Sequence, residues 1–397
     1  MLIISPPKYI TDVLNKLSSN GFDAYVVGGS LRDAVMKRSS NDWDIATSAT
    51  PNDVTGLFEK TVLTGEKFGT VTVALPECMV EITTFRTDGD YIDNRHPQSV
   101  EFVSDIKDDL SRRDFSINAM AASLTGEIID PHGGMDDIRD GIIRCVGDPV
   151  KRFKEDALRM FRAYRFSAQL GFKIEKNTLS AIKTEAGNAH GISAERVNIE
   201  VGKILMSHKP EIIGEVIKAG LFDSFLSGTF KNSVVLSRLD KLPDETVMRW
   251  GAFCAVLLDE KCIESAKVFL RDLRLENKII KTVHLALTLQ GFPTDRIGQK
   301  RLLAKHGVPV ARLAAAINDV RIGDSLKSLV SIYNIVSSGE CISLSKLAVT
   351  GKDLMEIGCS HGPQLGEALK KLLDYVIENP DKNNREVLLN IVKTDNL

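Results

Sequence analysis

Apolar positions along the chain follow two regimes. Up to about residue 140 they come in short runs; beyond it they recur at helical spacing. Ile10, Val13, Leu14 and Leu17 mark one face of a helix predicted over residues 1–24. Tyr25 to Val27 predicts a short strand that runs into Gly28-Gly29-Ser30, and a helical stretch follows from Leu31 to about Lys37. Trp43 to Ala46 predicts another strand. Ser48-Ala49-Thr50-Pro51 then opens a helix, with Ser48 or Thr50 as its N-cap. Val71–Leu75 and Met79–Phe85 predict two strands joined at Pro76-Glu77. Phe153, Ala157, Met160, Phe161, Tyr164 and Ala168 trace a single apolar stripe at the helical period, and 193–206 predicts a second strong helix. From there on, the pattern predicts short helices separated by turns such as Gly291-Phe292-Pro293 and Gly362-Pro363. Strands first and helices afterwards imply an α+β part followed by all-α parts.

Composition narrows the class. The chain has 397 residues, 43% hydrophobic and 26% charged, which suits a globular protein of about two to four domains. Lys plus Arg is 51 and Asp plus Glu is 53, a formal net charge of -2. That balance argues against a histone-like chain, a basic arm or a disordered acidic tail, but not against a local basic face for nucleic acid. The longest apolar run, Trp250 to Leu258, is far short of the roughly 20 residues of a membrane span. The N-terminal residues lack the basic start and apolar stretch of a signal peptide. Six scattered cysteines without Cys-x-x-Cys spacing argue against structural zinc and for reduced thiols in the cytoplasm. The seven histidines show no metal-binding spacing either.

Three features at the N-terminal end carry candidate chemistry. Gly28-Gly29-Ser30-Leu31-Arg32-Asp33 lies between a strand and a helix. Such glycines let a phosphate approach backbone N–H groups, and Arg32 adds a charged fork; a plain structural turn reads the same way. Asp42-Trp43-Asp44 places two carboxylates at i and i+2, on one face of a strand. Adjacent like charges call for a cation between them, and Mg²⁺ takes carboxylate oxygens while keeping sites for phosphates. A solvated turn is the other reading. Glu81, between Val80 and Ile82, is either a third carboxylate of that site or part of an exposed strand face.

This order of Gly-Gly, Asp-x-Asp and an acidic hairpin strand resembles the nucleotidyltransferase superfamily that includes DNA polymerase β. Two further segments narrow it. Asp109-Leu-Ser-Arg112-Arg113-Asp114-Phe115 reads as an exposed salt-bridge network or as a triphosphate holder. In Arg152-Phe153-Lys154-Glu155-Asp156-Ala-Leu-Arg159-Met-Phe-Arg162-Ala-Tyr-Arg165-Phe166, Asp156 and Arg159 are three apart on the expected helix. They read as a surface ion pair, or as one acceptor and one donor edge that imitate a base. With Glu195-Arg196 in the next helix and the tail segment from Asp353 to Gly366, the whole chain resembles a class II tRNA nucleotidyltransferase, the bacterial CCA-adding family.

The resemblance implies a polymerase-β-like nucleotidyltransferase head followed by an all-helical neck, body and tail. The expected bounds are 1–140 for the catalytic head and 141–206 for a neck that recognises the base. The body follows at 207–320 and a tRNA-binding tail at 321–397. It also implies template-independent addition of CCA to tRNA from CTP and ATP, with Mg²⁺ as cofactor, the tRNA acceptor stem and T arm as partner, and a cytoplasmic monomer or homodimer. Asp42 and Asp44 match its metal ligands, and Glu81 a third carboxylate. Gly29, Arg32 and Arg113 match its phosphate and ribose contacts. Asp156 and Arg159 match the pair that reads the base, and Arg162 and Arg165 further nucleotide contacts. Trp43 departs from the small aliphatic residue expected between the aspartates.

The absence of any His-Asp dipeptide removes the phosphohydrolase domain of longer relatives. Gly65 to Thr70 carries no poly(A) polymerase signature. The polar stretch from Phe85 to Val100 reads as a full-length loop, which in that family favours A addition and leaves CCA or A-only addition ahead of CC-only. Basic residues Arg296, Lys300, Arg301, Lys305, Lys370 and Lys371 are candidates for tRNA contact or solvated helix faces.

Overall fold

The computed structural model describes residues 4–40, 42–65, 69–89, 99–231, 234–323 and 325–394. Two compact units emerge, Met1–Ile204 with Glu215–Ser224, and Leu205–Gly214 with Phe225–Leu397. The first is the α+β part and the second is helical.

The first unit starts with α1 (Lys8–Ser19), shorter than the expected 1–24 because Pro7 precedes its first turn. Next come β1 (Ala24–Val27), α2 (Gly28–Val35), β2 (Asp44–Thr47), α3 (Pro51–Leu57), β3 (Thr61–Gly65), β4 (Thr70–Ala74) and β5 (Met79–Thr84). Thr50 is the N-cap of α3 and forms a reciprocal capping box with Asp53. The stretch read as a loop carries β6 (Arg86–Asp88) and β7 (Val100–Phe102), paired antiparallel. Residues 90–98, on which the reading of a full-length loop rests, lie outside the described residues, as do 66–68 of the segment compared with poly(A) polymerases. The unit continues through α4 (Ile106–Ser111), β8 (Ala121–Ala122), β9 (Ile128–Ile129) and α5 (Gly134–Asp140).

The main sheet has seven strands in the order β3-β4-β5-β2-β1-β8-β9. Only β2 and β5 run parallel; the other neighbours are antiparallel. Alternation divides its faces. Val26, Ile45, Val80 and Ile82 pack with the buried stripe of α1. Val27, Ala46 and Phe85 pack with Ile106 and Leu110 of α4 on the other face.

Past residue 140 helices dominate, interrupted by one short parallel ladder of β10 (Ile142–Ile143) and β11 (Lys173–Ile174). The stripe from Phe153 to Ala168 is buried as expected, but it belongs to two helices, α6 (Pro149–Glu155) and α7 (Leu158–Leu170). Asp156 breaks them apart. Its backbone is extended (φ -143, ψ 103) and its carboxylate accepts from the Leu158 N–H at 3.0 Å, capping the second helix. Then α8 (Lys176–Glu185) and α9 (Ala194–Leu205) follow.

Beyond α10 (Ile213–Lys218), the second unit holds α11 (Thr246–Asp259), α12 (Ala266–Asp272), α13 (Asn277–Leu287), α14 (Arg296–Ile322) and α15 (Lys327–Ser337). Three more helices complete it: α16 (Gly351–Glu356), α17 (Pro363–Glu378) and α18 (Arg385–Thr394). Helix α14 packs against α11, α13, α15 and α17 and is broken at Gly307 (φ 80), two residues before Pro309. Three of the basic candidates here are consumed internally. Lys300 is buried and pairs with Glu340, which also takes Arg296, while Arg301 bonds Asp374 and Glu378. Lys305, Lys370 and Lys371 are exposed. No helix among the described residues is long and apolar enough to cross a membrane.

Candidate active site

The first unit contains a cleft of about 550 Å³. Its floor is the junction of β1, β2 and β5. Asp44 opens β2, opposite Val27 at the end of β1 and opposite Glu81 of β5. Cross-strand partners share a face, so both carboxylates leave the sheet on the same side, and both line the cleft. Asp42 lies ahead of the strand and is exposed, so the expected strand pair Asp42/Asp44 is only half within a strand. Asp42 does not line the cleft wall but bears on it electrically. Burial, then the charge of Glu81, hold the Asp44 carboxyl up at about 6; Arg113 opposes them and Asp42 adds to the rise. Trp43 points the other way, into the core under α1.

The glycine turn is packed against this carboxylate. Helix α2 begins directly at Gly28, three residues earlier than expected. Gly28 has φ +74, and a Cβ there would lie 3.0 Å from Asp44 Oδ2 and 3.5 Å from Arg113 Nη1. Only glycine meets both the left-handed backbone and the close approach. Gly29 lines the cleft beside it.

The remaining walls are cationic. Eight arginines line the cleft against four carboxylates, Asp44, Glu81, Asp114 and Asp156. Each arginine has a carboxylate behind or beside it. Arg32 donates twice to Asp33 (2.9 and 2.8 Å) and once to Asn118 Oδ1 (2.9 Å). Arg112 and Arg113 share Asp109, at 2.7 and 3.0 Å. Asp109 is fully buried; burial raises its carboxyl, but the two guanidiniums outweigh that and hold it below the usual carboxylate range. Asp114 is held low in the same manner, burial being overcome chiefly by Arg162, which donates to it at 2.6 Å. Arg86 lies 3.4 Å from Asp88.

Asp156 and Arg159 both line the cleft but do not sit on one helix as expected. Asp156 ends α6 and binds Arg196 at 2.8 Å. Arg159 stands in the first turn of α7 and binds Glu155 at 2.8 Å, with further donation to the carbonyls of Arg152 and Arg112. Arg162 and Arg165 follow on the same face of α7, and Arg165 lies 2.7 Å from Glu200 of α9.

Of the catalytic and nucleotide-binding candidates named from sequence, Gly29, Arg32, Asp44, Glu81, Arg113, Asp156, Arg159, Arg162 and Arg165 converge on one cleft, and Asp42 stands outside its lining. Sequence reasoning gave no site role to Arg86, Asn118 or Phe166, or to the orienting Asp109 and Glu200. For Asp109 a signal existed: it stands three and four residues before Arg112 and Arg113, the spacing of neighbours on a helix.

Among the described residues no group of three His, Cys, Asp or Glu side chains is gathered in the manner of a finished metal site. The donor set still fits a hard divalent cation that takes two or three carboxylates and completes its shell with phosphates. Asp44, held up at about 6 by burial and its acidic neighbours, marks excess negative charge that a cation would relieve.

Comparisons with known proteins agree with this geometry. Residues 24–144 match the family described as "Poly A polymerase head domain", 171–231 that of an RNA and SrmB binding site of polymerase A, and 244–392 that of tRNA nucleotidyltransferase domain 2. The CCA-adding enzyme of Geobacillus sp. (strain WCH70) is 38% identical over 381 residues, covering 94% of this chain and 93% of that one. That of Bacillus subtilis (strain 168) is 35% identical over 392 residues, covering 96% of each. The crystal structure of the Bacillus stearothermophilus CCA-adding enzyme in complex with CTP superposes with a TM-score of 0.84 at 32% identity, over 99% of this chain and 98% of that one. With similarity of this degree over nearly its whole length, the chain belongs to the CCA-adding enzymes, a family of tRNA nucleotidyltransferases.

Proposed function

We propose that this chain adds C, C and A in turn to the 3′ end of tRNA from CTP and ATP, without a nucleic-acid template, releasing pyrophosphate. The observation that supports it best is the meeting in one cleft of Asp44 and Glu81, the Gly28-Gly29 turn, and the pair Asp156 and Arg159. Nucleotidyltransferases of this family use a divalent metal. We assign Mg²⁺, with Asp42 and Asp44 as ligands and Glu81 as a further carboxylate. When bound, the ion neutralises charge on the triphosphate and raises the acidity of the attacking hydroxyl.

The protein's own groups do the positioning. Backbone N–H groups at Gly28 and Gly29 open α2 toward the cleft and suit phosphate oxygens. Arg113, Arg112 and Arg32 are held in fixed planes by Asp109 and Asp33, so their outer N–H edges meet the triphosphate and ribose without further ordering. The bases of CTP and ATP take a donor from Arg159 and an acceptor from Asp156. G and U leave one of these groups unpaired in the cleft, which disfavours them. Arg162 and Arg165 extend the donor wall.

We divide the work as head 1–140, neck 141–206, body 207–320 and tail 321–397. The acceptor stem and T arm are read by shape and backbone along the helical part, as RNA duplexes generally are. None of the six cysteines is in a disulfide, which fits a reducing cytoplasm.

The test uses purified protein with Mg²⁺ and three tRNAs, lacking CCA, ending in CC, or complete, each with labelled CTP, ATP or both. Full CCA on the shortest tRNA is expected. Incorporation of A alone, and only on the CC-ended tRNA, would reassign the chain to A-only addition. Long A tracts would make it a poly(A) polymerase. No incorporation would refute nucleotidyl transfer.

A further inference from the structure

Phe166 stands at the centre of the cationic wall and has no role in the assignment above. Three guanidiniums surround its ring: Arg165 at 4.2 Å from the centroid, Arg32 at 5.2 Å and Arg162 at 5.4 Å. They come from two elements, α2 and α7, far apart in sequence. The ring is itself fixed, edge-on to the fully buried Phe115 at 5.8 Å and 82°. Phe115 follows directly on Arg112-Arg113-Asp114, so the anchor belongs to the same site.

Three like charges around one ring need compensation from both sides. At their outer edges each arginine has its own carboxylate: Asp33 for Arg32, Asp114 for Arg162 and Glu200 for Arg165. At the centre, the negative face of the aromatic ring takes their place. Arg165 shows why the ring matters. Its Nε lies 2.7 Å from Glu200 Oε2, yet the two are not aligned as a hydrogen bond, so charge alone does not set the plane of the guanidinium. The other group that bears on it is the ring: Arg165 Cζ lies over Phe166, 4.2 Å from the centroid. Both Arg165 and Phe166 are nearly buried but still line the cleft.

We propose that Phe166 is a positioning residue for nucleotide binding, which holds Arg32, Arg162 and Arg165 as one rigid donor wall against the incoming nucleoside triphosphate. This rests on the reading of the cleft as the CTP and ATP site. An ordinary core phenylalanine would contribute only its volume and apolar area. A positioning ring contributes its electrons as well, and that difference is measurable.

The experiment replaces Phe166 with phenylalanines carrying one, two and three ring fluorines, which weaken the ring's negative face while nearly keeping its shape. Phe166→Leu is the apolar control without a ring. KM for CTP and for ATP, kcat and KM for tRNA are measured alongside thermal unfolding. We expect KM for both nucleotides to climb with each fluorine and to reach about tenfold in Phe166→Leu, with kcat and KM for tRNA within about threefold. The fluorinated proteins should unfold within about 2 °C of the parent. Nucleotide KM flat across the fluorine series, or a rise in KM for tRNA instead, overturns the proposal. The parent protein is assayed beside them. If it incorporates neither nucleotide, the reading of the cleft fails; if it does and the series is flat, only the ring's role fails.

Discussion

Asp109→Asn tests whether the cleft is organised from behind. Asp109 is buried, with its side chain 1% exposed, and takes four N–H contacts from Arg112 and Arg113. Asparagine keeps one acceptor but turns an N–H₂ group toward a guanidinium, where donor meets donor. Breaking a buried pair from one side costs about 3–5 kcal/mol, because charge is left behind without its partner. In a unit of this size that is a fall in Tm of about 6–20 °C. The pH dependence has a definite sign. The folded carboxyl lies below its ordinary value, so its contribution is complete above the unfolded carboxylate pKa of about 4 and is lost as pH falls toward the folded value. Urea unfolding of both proteins between about pH 7 and pH 3 should therefore show a constant gap that closes below about pH 4. With the guanidiniums released, KM for CTP should also rise about tenfold or more. A gap of under about 1 kcal/mol at pH 7, or one that ignores pH, would refute the charge-based account of Asp109.

Four other substitutions separate the parts of the molecule. Gly28→Ala forces a left-handed alanine against Asp44; a loss of about 1–2 kcal/mol in stability and a much larger loss of nucleotide addition are expected, checked by unfolding and incorporation assays. Thr50→Ala removes the capping box of α3; a cost of about 1 kcal/mol is expected with incorporation rates unchanged, so a loss of rate would show α3 coupled to the site. Lys300→Gln should leave the salt dependence of tRNA binding unaltered, since Lys300 is buried against Glu340, while Lys305→Gln, at an exposed position, should reduce the slope by up to about 1 if it meets a phosphate. The reverse result would mean that the Lys300 pair opens on RNA.

Where the sequence was legible, a local signal matched the final geometry. The short runs on either side of Pro76-Glu77 placed β4 and β5, and the stripe Ile10, Val13, Leu14, Leu17 placed α1, because their apolar residues pack on one shared core. Where it misled, a second interaction overrode the periodicity. Phe153 to Ala168 keeps helical spacing and is buried throughout, so the stripe conceals the break at Asp156. An aspartate two residues before a helical run is itself a capping signal, and here its side chain caps α7 while facing the cleft. The strands β6 and β7 are three residues each, too short for alternation to show. Lys300 looks like a solvent-facing lysine because nothing local announces Glu340, forty residues away.

The near-neutral charge of the chain concealed the site for a related reason. Four acids line the cleft, but five more, Asp33, Asp88, Asp109, Glu155 and Glu200, stand behind its arginines and do not line it. These acids cancel the arginines in any count over the sequence. Space does not cancel them, because the guanidinium edges that face the cleft remain donors whatever is bound behind. A polyanionic substrate then meets arginines already fixed in place, and the cost of holding so many like charges together has been met by folding. The acids behind and the acids in front should consequently fail differently. Losing Asp109 or Glu200 loosens arginines, and so weakens nucleotide binding together with stability. Losing Asp44 relieves like-charge crowding, and so should stabilise the fold while ending nucleotide addition. A variant at Asp44 that unfolded earlier than the parent would contradict this division.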